Sequence, residues 1–264
     1  SLLAASLSSP RTAIHEQNAF PGLVNRVLAR LVDKVFLSMP DGSGVFPPKK
    51  TVLVGNPVRG SIARLHKTRS VTRTARQGAP RRLLVIGGSQ GARALNDGMI
   101  AGLSLLLGQG IEIHHQTGPS DYDRVRAAYD AAGASHCLVE AFIDDMAEAY
   151  ERTDLILSRS GASTLAEITA AGLPSLLVPF PQAVQDHQRH NAVFLQEGGA
   201  AVLLEQTAFY RDGAATETLA TAILHLLADG EKLRLMAEKS YALAIPDAAE
   251  RMLDALDEIL MNKK

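Results

Sequence analysis

The sequence predicts an α/β protein built on a doubly wound parallel sheet, and two observations carry that reading. From residue 81 onward, short apolar runs alternate with helix-period segments, as when strands are covered on both faces by crossover helices. Two of those runs end in small-residue turns that open a helix: Gly87-Gly88-Ser89-Gln90-Gly91 and Ser160-Gly161-Ala162-Ser163-Thr164. The chain has 264 residues, 46% of them hydrophobic, enough for one large or two moderate cores.

The elements follow in order. Leu83-Leu84-Val85-Ile86 predicts a strand, and a helix runs from the glycine turn through Leu107. Ile111–His114 is the second strand. Asp121–Ala132 is a helix, with Tyr122, Val125 and Tyr129 on one face. Leu138-Val139 begins a third strand, Asp145–Arg152 is a short helix, and Leu155-Ile156-Leu157 is a fourth strand. The helix behind Ser160-Gly161 stops at Gly172 and Pro174. Ser175–Pro179 is a fifth strand, His187–Gln196 a helix, Ala201–Leu204 a sixth strand, and helices fill most of the rest. After the break at Ile245-Pro246-Asp247, Ala248–Leu260 is a last helix, expected to cross back toward the start of the chain.

The first sixty residues read differently. Thr12–Ile14 is a strand candidate running into a polar turn, His15-Glu16-Gln17-Asn18, followed by a helix over about 21–32. Lys34–Leu37 and Thr51–Val54 are further strands. These elements are too few for an independent domain and read as the remnant of one that starts upstream. The expected division is residues 1–59, 60–245 and a C-terminal helix over 246–264.

Composition excludes several classes. Twenty-seven basic against 28 acidic residues give a formal charge of −1, so no global attraction to nucleic acid is implied. A single cysteine, Cys137, excludes an internal disulfide and multi-thiolate metal sites and fits a reducing setting. No apolar run reaches the length of a membrane span, and the apolar start at Ser1–Leu7 lacks the basic flank of a signal peptide. Residues 59–82 hold eight basic residues and no acid, the pattern of a solvated linker or of a contact with anionic lipid or phosphate.

The motifs point to an anion. A strand, a glycine turn and a helix start aim free N–H groups and a positive dipole end at one point. One such turn is a weak signal, because glycine also serves steric ends there. Two at the carboxyl edge of one sheet suit a diphosphate. Glu167, one turn into the second helix with no basic partner in sight, is placed to accept from the hydroxyls of a ribose; the alternative is a surface acid. The stretch Asp186-His187-Gln188-Arg189-His190-Asn191 is dense in amides and imidazoles, which suit sugar hydroxyls. His187 and His190 lack a carboxylate at metal-ligand spacing, so no metal and no cofactor are expected.

Six motifs then occur in order: H-E-Q-N (15–18), V-G-N-P-V-R (54–59), G-G-S-Q-G-A (87–92), F-I-D-D-M (142–146), R-S-G-A-S-T-L-A-E (159–167) and D-H-Q-R-H-N-A (186–192). Together they resemble the bacterial peptidoglycan N-acetylglucosaminyltransferases that convert lipid I to lipid II. That resemblance spans essentially the whole chain. It implies a GT-B fold and inverting, metal-independent transfer from UDP-N-acetylglucosamine to the muramyl 4-hydroxyl of lipid I, at the cytoplasmic face of the bacterial inner membrane with its anionic surface. It further implies that Ser89, Ser163 and Thr164 meet the diphosphate, with Ala162, Leu165 and Ala166 also among the substrate-binding residues. Ile143 would meet uracil through its backbone, and Arg59 would lie near the nucleotide. Glu167 would hold the ribose, His187 and Gln188 the sugar, and Asn18 would reach across from the first domain. The glycine-rich loop and histidine with which the family opens have no counterpart here, so the general base is expected outside this chain and the chain alone is not expected to turn over. Two other readings remain at this point: a UDP-sugar epimerase or another GT-B enzyme, and a non-catalytic UDP-sugar-binding fragment.

Overall fold

A computed structural model describes residues 11–68, 80–88 and 91–261. Ser1–Leu7, Ser89 and three members of the basic run, Arg69, Arg73 and Arg76, lie outside the described residues.

Strands β1 (Ala13–Glu16), β2 (Lys34–Leu37) and β3 (Thr51–Leu53) form a parallel sheet in the order β1-β2-β3, with helix α1 (Leu23–Leu28) between the first two. The expected polar turn at His15-Glu16 is instead the end of β1. Glu16 can occupy a buried strand position because its carboxylate accepts from the backbone N–H groups of Asn18 (3.0 Å) and Gly22 (2.9 Å) and from the Asn25 amide (2.9 Å). The expected helix over 21–32 ends at Leu28. The chain then folds back so that the Asp33 carboxylate takes the N–H of Thr12 (2.9 Å) while Ala29 and Val32 join a small core with Ile14 and Val35.

Helix α2 (Gly60–Thr68) leads to the main sheet, whose strands are β4 (Arg82–Ile86), β5 (Glu112–Gln116), β6 (Leu138–Glu140), β7 (Leu155–Ser158), β8 (Ser175–Leu177) and β9 (Ala201–Leu203). All are parallel, in the order β6-β5-β4-β7-β8-β9. The strands read as continuous apolar runs because both faces are covered. Leu83, Val85, Leu155 and Leu157 enter one core, and Leu84, Ile86, Ile156 and Leu177 enter the other. The intervening helices are α3 (Arg93–Ala101), α4 (Leu103–Gly108), α5 (Tyr122–Ala131), α6 (Met146–Arg152), α7 (Ala162–Ala170) and α8 (His187–Glu197). The single helix expected through Leu107 is broken at Gly102. There Ala220 presses so close that a Cβ on Gly102 would lie 2.2 Å from its Cβ.

Beyond β9 comes a small antiparallel hairpin, β10 (Tyr210–Arg211) and β11 (Ala214–Ala215), which the sequence reading did not anticipate. Its turn is Asp212-Gly213, both at positive φ, as a tight hairpin of right-handed twist demands. Helices α9 (Thr218–Ala228) and α10 (Gly230–Ala242) follow. The last, α11 (Ala248–Met261), packs Ala255 and Ile259 against Phe36 and Val54 of the first sheet. No described helix is long and apolar enough to cross a membrane.

Gly55 sits where α11 returns to the first sheet. Its φ is +87°, and a Cβ there would lie 2.7 Å from Cβ of Ile245 and 3.0 Å from that of Ala248. Gly55→Ala is expected to destabilise the protein by about 2 kcal/mol or more, through backbone strain and overpacking. Thermal unfolding checks this, with partial recovery expected in Gly55→Ala/Ile245→Ala; an unchanged midpoint in the single variant would refute it.

Candidate functional site

The strand order reverses between β4 and β7, the point at which a doubly wound sheet opens a crevice at its carboxyl edge. The two strands pair in register, Ile86 opposite Ser158, so both small-residue turns leave the sheet at the same level. The first corner is a tight turn in which the Gly91 N–H donates to Gly88 O (3.0 Å), with positive φ at both glycines. Strand β5 supports it from behind. The Gln116 amide donates to Gly88 O (3.2 Å), and a Cβ on Gly91 would lie 2.4 Å from Thr117 O.

That carbonyl is itself held by a buried polar chain. The Asn96 amide donates to Thr117 O (3.0 Å) and to Asp121 (2.7 Å), and Asn96 Oδ1 meets His115 Nε2 (3.0 Å). An amide oxygen only accepts, so Nε2 carries the proton, and Nδ1 accepts from the Tyr129 hydroxyl (3.0 Å). Burial lowers the His115 pKa to about 3 and pushes the Tyr129 hydroxyl up, so both stay neutral.

The second corner starts at Ser160, wholly buried, whose hydroxyl donates to Gln188 O (2.7 Å). Gly161 begins α7 in extended conformation, and no side chain caps the helix. Its leading N–H groups are thus unclaimed by any cap. Gly87, Gly88, Gly161, Thr164, Arg159 and Gln188 enclose a cavity of about 240 Å³. It shares Gly87, Arg159 and Gln188 with a neighbour of about 430 Å³, whose wall includes Phe180, Gln206 and Tyr210.

Arg159, which sequence reasoning missed, brings a positive charge to both cavities, joined in the larger one by Arg93. Its guanidinium is largely buried and donates to Val178 O (3.1 Å), Pro179 O (3.1 Å) and Gln206 Oε1 (2.8 Å), with the Phe180 ring 5.5 Å away. No carboxylate among the described residues pairs with it, and burial draws its pKa down to about 10. The available signal was its position directly after β7 in the R-S-G-A motif.

The expected residues fall into distinct groups. Thr164 and Gln188 face the cleft, and Ser163 is exposed at the start of α7. Gln188 spends its side-chain oxygen on Phe180 N (3.0 Å). Leu165 is buried in the core, and Ala162 and Ala166 line a separate small cavity with Ser38 and Asn56. The Leu165 N–H is given to Gly161 O (3.0 Å). Glu167 is not unpaired as expected: it accepts from the Tyr150 hydroxyl (2.9 Å) and lies 3.6 Å from Arg59, with 18% of its side chain exposed. Ile143 packs its side chain into the core, and its main chain makes no hydrogen bond to another described residue. The His187 Nδ1–H donates to Phe20 O (3.1 Å) and His190 stacks on the Phe20 ring, so both imidazoles anchor the N-terminal segment.

Asn191 is the second residue missed. Wholly buried, it accepts from Ala19 N (2.8 Å) and donates to Asn18 Oδ1 (3.1 Å) and to Ser160 O (3.1 Å). Asn18 is thereby tied to the second corner across 173 positions of sequence.

Two parallel sheets, with a crevice at the switch point of the larger, define an α/β protein of the GT-B type. Residues 82–252 match the glycosyltransferase family 28 C-terminal domain, and the chain belongs to that family of glycosyltransferases. It is 50% identical over 259 residues to a UDP-N-acetylglucosamine–N-acetylmuramyl-(pentapeptide) pyrophosphoryl-undecaprenol N-acetylglucosamine transferase of Nitratidesulfovibrio vulgaris, covering 98% of this chain and 69% of that protein. A relative of the same description from Lawsonia intracellularis is 51% identical over 78% of the chain and 56% of its own length. The crystal structure of Acinetobacter baumannii MurG superposes with a TM-score of 0.77 at 31% identity, over 97% of this chain and 69% of that one. The UDP-GlcNAc 2-epimerase of Neisseria meningitidis shares the fold alone, at 16% identity and a TM-score of 0.60 over 97% of this chain and 72% of that one.

The neutral His115 gives the fold a pH signature. Between about pH 3 and its ordinary 6.5, the unfolded chain binds a proton at this residue that the folded protein refuses. Its contribution is full above pH 6.5 and is lost as pH falls, by up to about 1.4 kcal/mol per unit. His15 and His66 are also lowered by burial and slope the same way. In urea titrations at pH 6.5 and 5.0, His115→Gln is therefore expected to lose less stability than wild type, and parallel losses would count against the assignment.

Proposed function

We propose that this chain carries the donor site of an enzyme transferring N-acetylglucosamine from UDP-N-acetylglucosamine to the muramyl 4-hydroxyl of lipid I, giving lipid II. The observation that carries the reading is one cavity bounded by two small-residue helix starts and a largely buried guanidinium with no carboxylate partner among the described residues. Such a cavity suits a diphosphate without a metal ion, because N–H groups, helix dipoles and Arg159 already supply positive potential.

In this reading the N–H groups at the start of α7, with Thr164 and the first corner that includes Ser89, hold the two phosphates. Glu167 accepts from the ribose hydroxyls, and Arg59, 3.6 Å away, closes the nucleotide end. The unclaimed main chain of Ile143 offers a donor and an acceptor to the edge of uracil. Gln188, whose side-chain oxygen is already engaged, offers its amide N–H groups to the sugar, with His187 beside it.

The chemistry is a single displacement with inversion. As the acceptor oxygen bonds to the anomeric carbon, the bond to the β-phosphate oxygen breaks and UDP takes up the charge. Arg159 and the α7 N–H groups face that developing charge and stabilise it. No residue of this chain is assigned as the base that removes the hydroxyl proton. Residues 1–59 and α11 are read as parts of an acceptor-side domain, residues 60–245 as the donor domain. The exposed apolar face of α1, with Arg26 and Arg30 beside it, fits a peripheral position at the anionic cytoplasmic face of the inner membrane. The near-neutral net charge gives no reason to include nucleic acid among the partners.

The ribose assignment yields a direct test. Wild type is expected to bind UDP about tenfold more tightly than 2′-deoxy-UDP, the cost of an unmade bond to a charged acceptor. In Glu167→Ala that preference should vanish, with 2′-deoxy-UDP weakened less than UDP because only its 3′-hydroxyl loses an acceptor. Calorimetry decides it: a variant that retained the full preference would remove Glu167 from the ribose site.

A further inference from the structure

Among the described residues, Arg159 is held only by neutral oxygens: the carbonyls of Val178 and Pro179 and the amide of Gln206. A guanidinium has five N–H donors, and these contacts use three. A cation taken out of water without a counter-ion is costly, and elsewhere in this protein the arginines of structural ion pairs face acids, as in Arg82–Glu112, Arg124–Asp121 and Arg189–Glu205. The last of these is instructive. Glu205 directly precedes Gln206, yet its carboxylate is directed outward to Arg189 (2.9 Å), while the uncharged amide next in sequence faces Arg159. Gln206 and Arg159 both line the larger cavity, and Arg159 continues into the smaller one between the two corners.

We propose that Gln206 is a positioning residue that orients Arg159 without neutralising it, leaving the guanidinium's charge for the phosphates of a nucleoside diphosphate. This rests on the donor-site reading above. A carboxylate at position 206 would satisfy the same hydrogen bond but would also supply the missing counter-ion, and would compete with the ligand for it. Gln206 thus acts through Arg159 and need not touch the substrate.

The experiment compares wild type, Gln206→Glu and Gln206→Met for binding of UDP and of uridine, at low and high potassium chloride, alongside thermal unfolding. Gln206→Glu is expected to weaken UDP by about tenfold or more and to leave uridine unchanged. Its unfolding midpoint should hold or rise, because the buried cation gains a partner, and its UDP affinity should depend less steeply on salt than that of wild type. Gln206→Met, which removes the acceptor without adding charge, should weaken UDP less and lower the midpoint. A purely structural role would move stability and affinity together and affect both ligands alike. Gln206→Glu binding UDP as tightly as wild type, or losing UDP and uridine equally, would overturn the inference. Wild type failing to bind UDP at all would overturn the donor-site reading itself.

Discussion

The pairing of β4 with β7 is the constraint on which the rest depends. These strands are consecutive in space but not in sequence, and the chain leaves them toward different helices. Their register brings Ile86 level with Ser158, so two turns and two helix starts must share the space at the carboxyl edge. Only small residues satisfy that crowding. A Cβ on Gly87 would meet Ala92 N at 2.5 Å, and one on Gly91 would meet Thr117 O at 2.4 Å. The steric and the anion-binding explanations for glycine here are therefore compatible: backbones packed this closely leave no room for a side chain at Gly87 or Gly91.

What could be read from the sequence follows from how far each signal reaches along the chain. The strands of the main sheet were legible because covered faces force continuous apolar runs, and the two corners because glycine and hydroxyl residues cluster locally. The D-G turn of the β10–β11 hairpin was legible in principle but flanks strands of two residues each, too short for periodicity. Glu16 was misread because H-E-Q-N looks like a turn in isolation. Its partners Gly22 and Asn25 lie six and nine residues away, beyond a local pattern. Glu167 looked unpaired because its partners, Tyr150 and Arg59, sit on other elements. The bridging role of Asn191, a residue read only as one of several amides near a sugar, and that of Gln206 were hidden for the same reason: an amide acquires meaning only from the groups it joins.

Those amides also tie the first sheet to the cleft. Glu16 collects the N–H groups of the 18–22 loop and so presents Asn18 and Ala19 to Asn191, which in turn holds Ser160 at the second corner. Phe20 is gripped twice, by His187 through its carbonyl and by His190 through its ring. The N-terminal segment is thus tied to α8, and its placement and that of the second corner are coupled through one wholly buried side chain.

Glu167 and Arg159 are managed in opposite ways, and on the donor-site proposal the difference follows from their tasks. Glu167 keeps partners, yet a carboxylate has about four acceptor positions, and Tyr150 with Arg59 leaves room for two hydroxyl donors. Pairing therefore orients the acid without exhausting it, since the ribose proposed for it would bring neutral hydroxyls that add to the network. Arg159 is a different case, because the phosphates proposed for it would bring charge. A protein carboxylate there would have to be displaced before a phosphate could bind, and the desolvation of two ions would be incurred for no gain. Neutral carbonyls and an amide avoid that contest, at the expense of a less stable empty site. On the donor-site proposal, an acid kept partnered and a cation left uncompensated together suit one ligand architecture, a diol joined to a diphosphate.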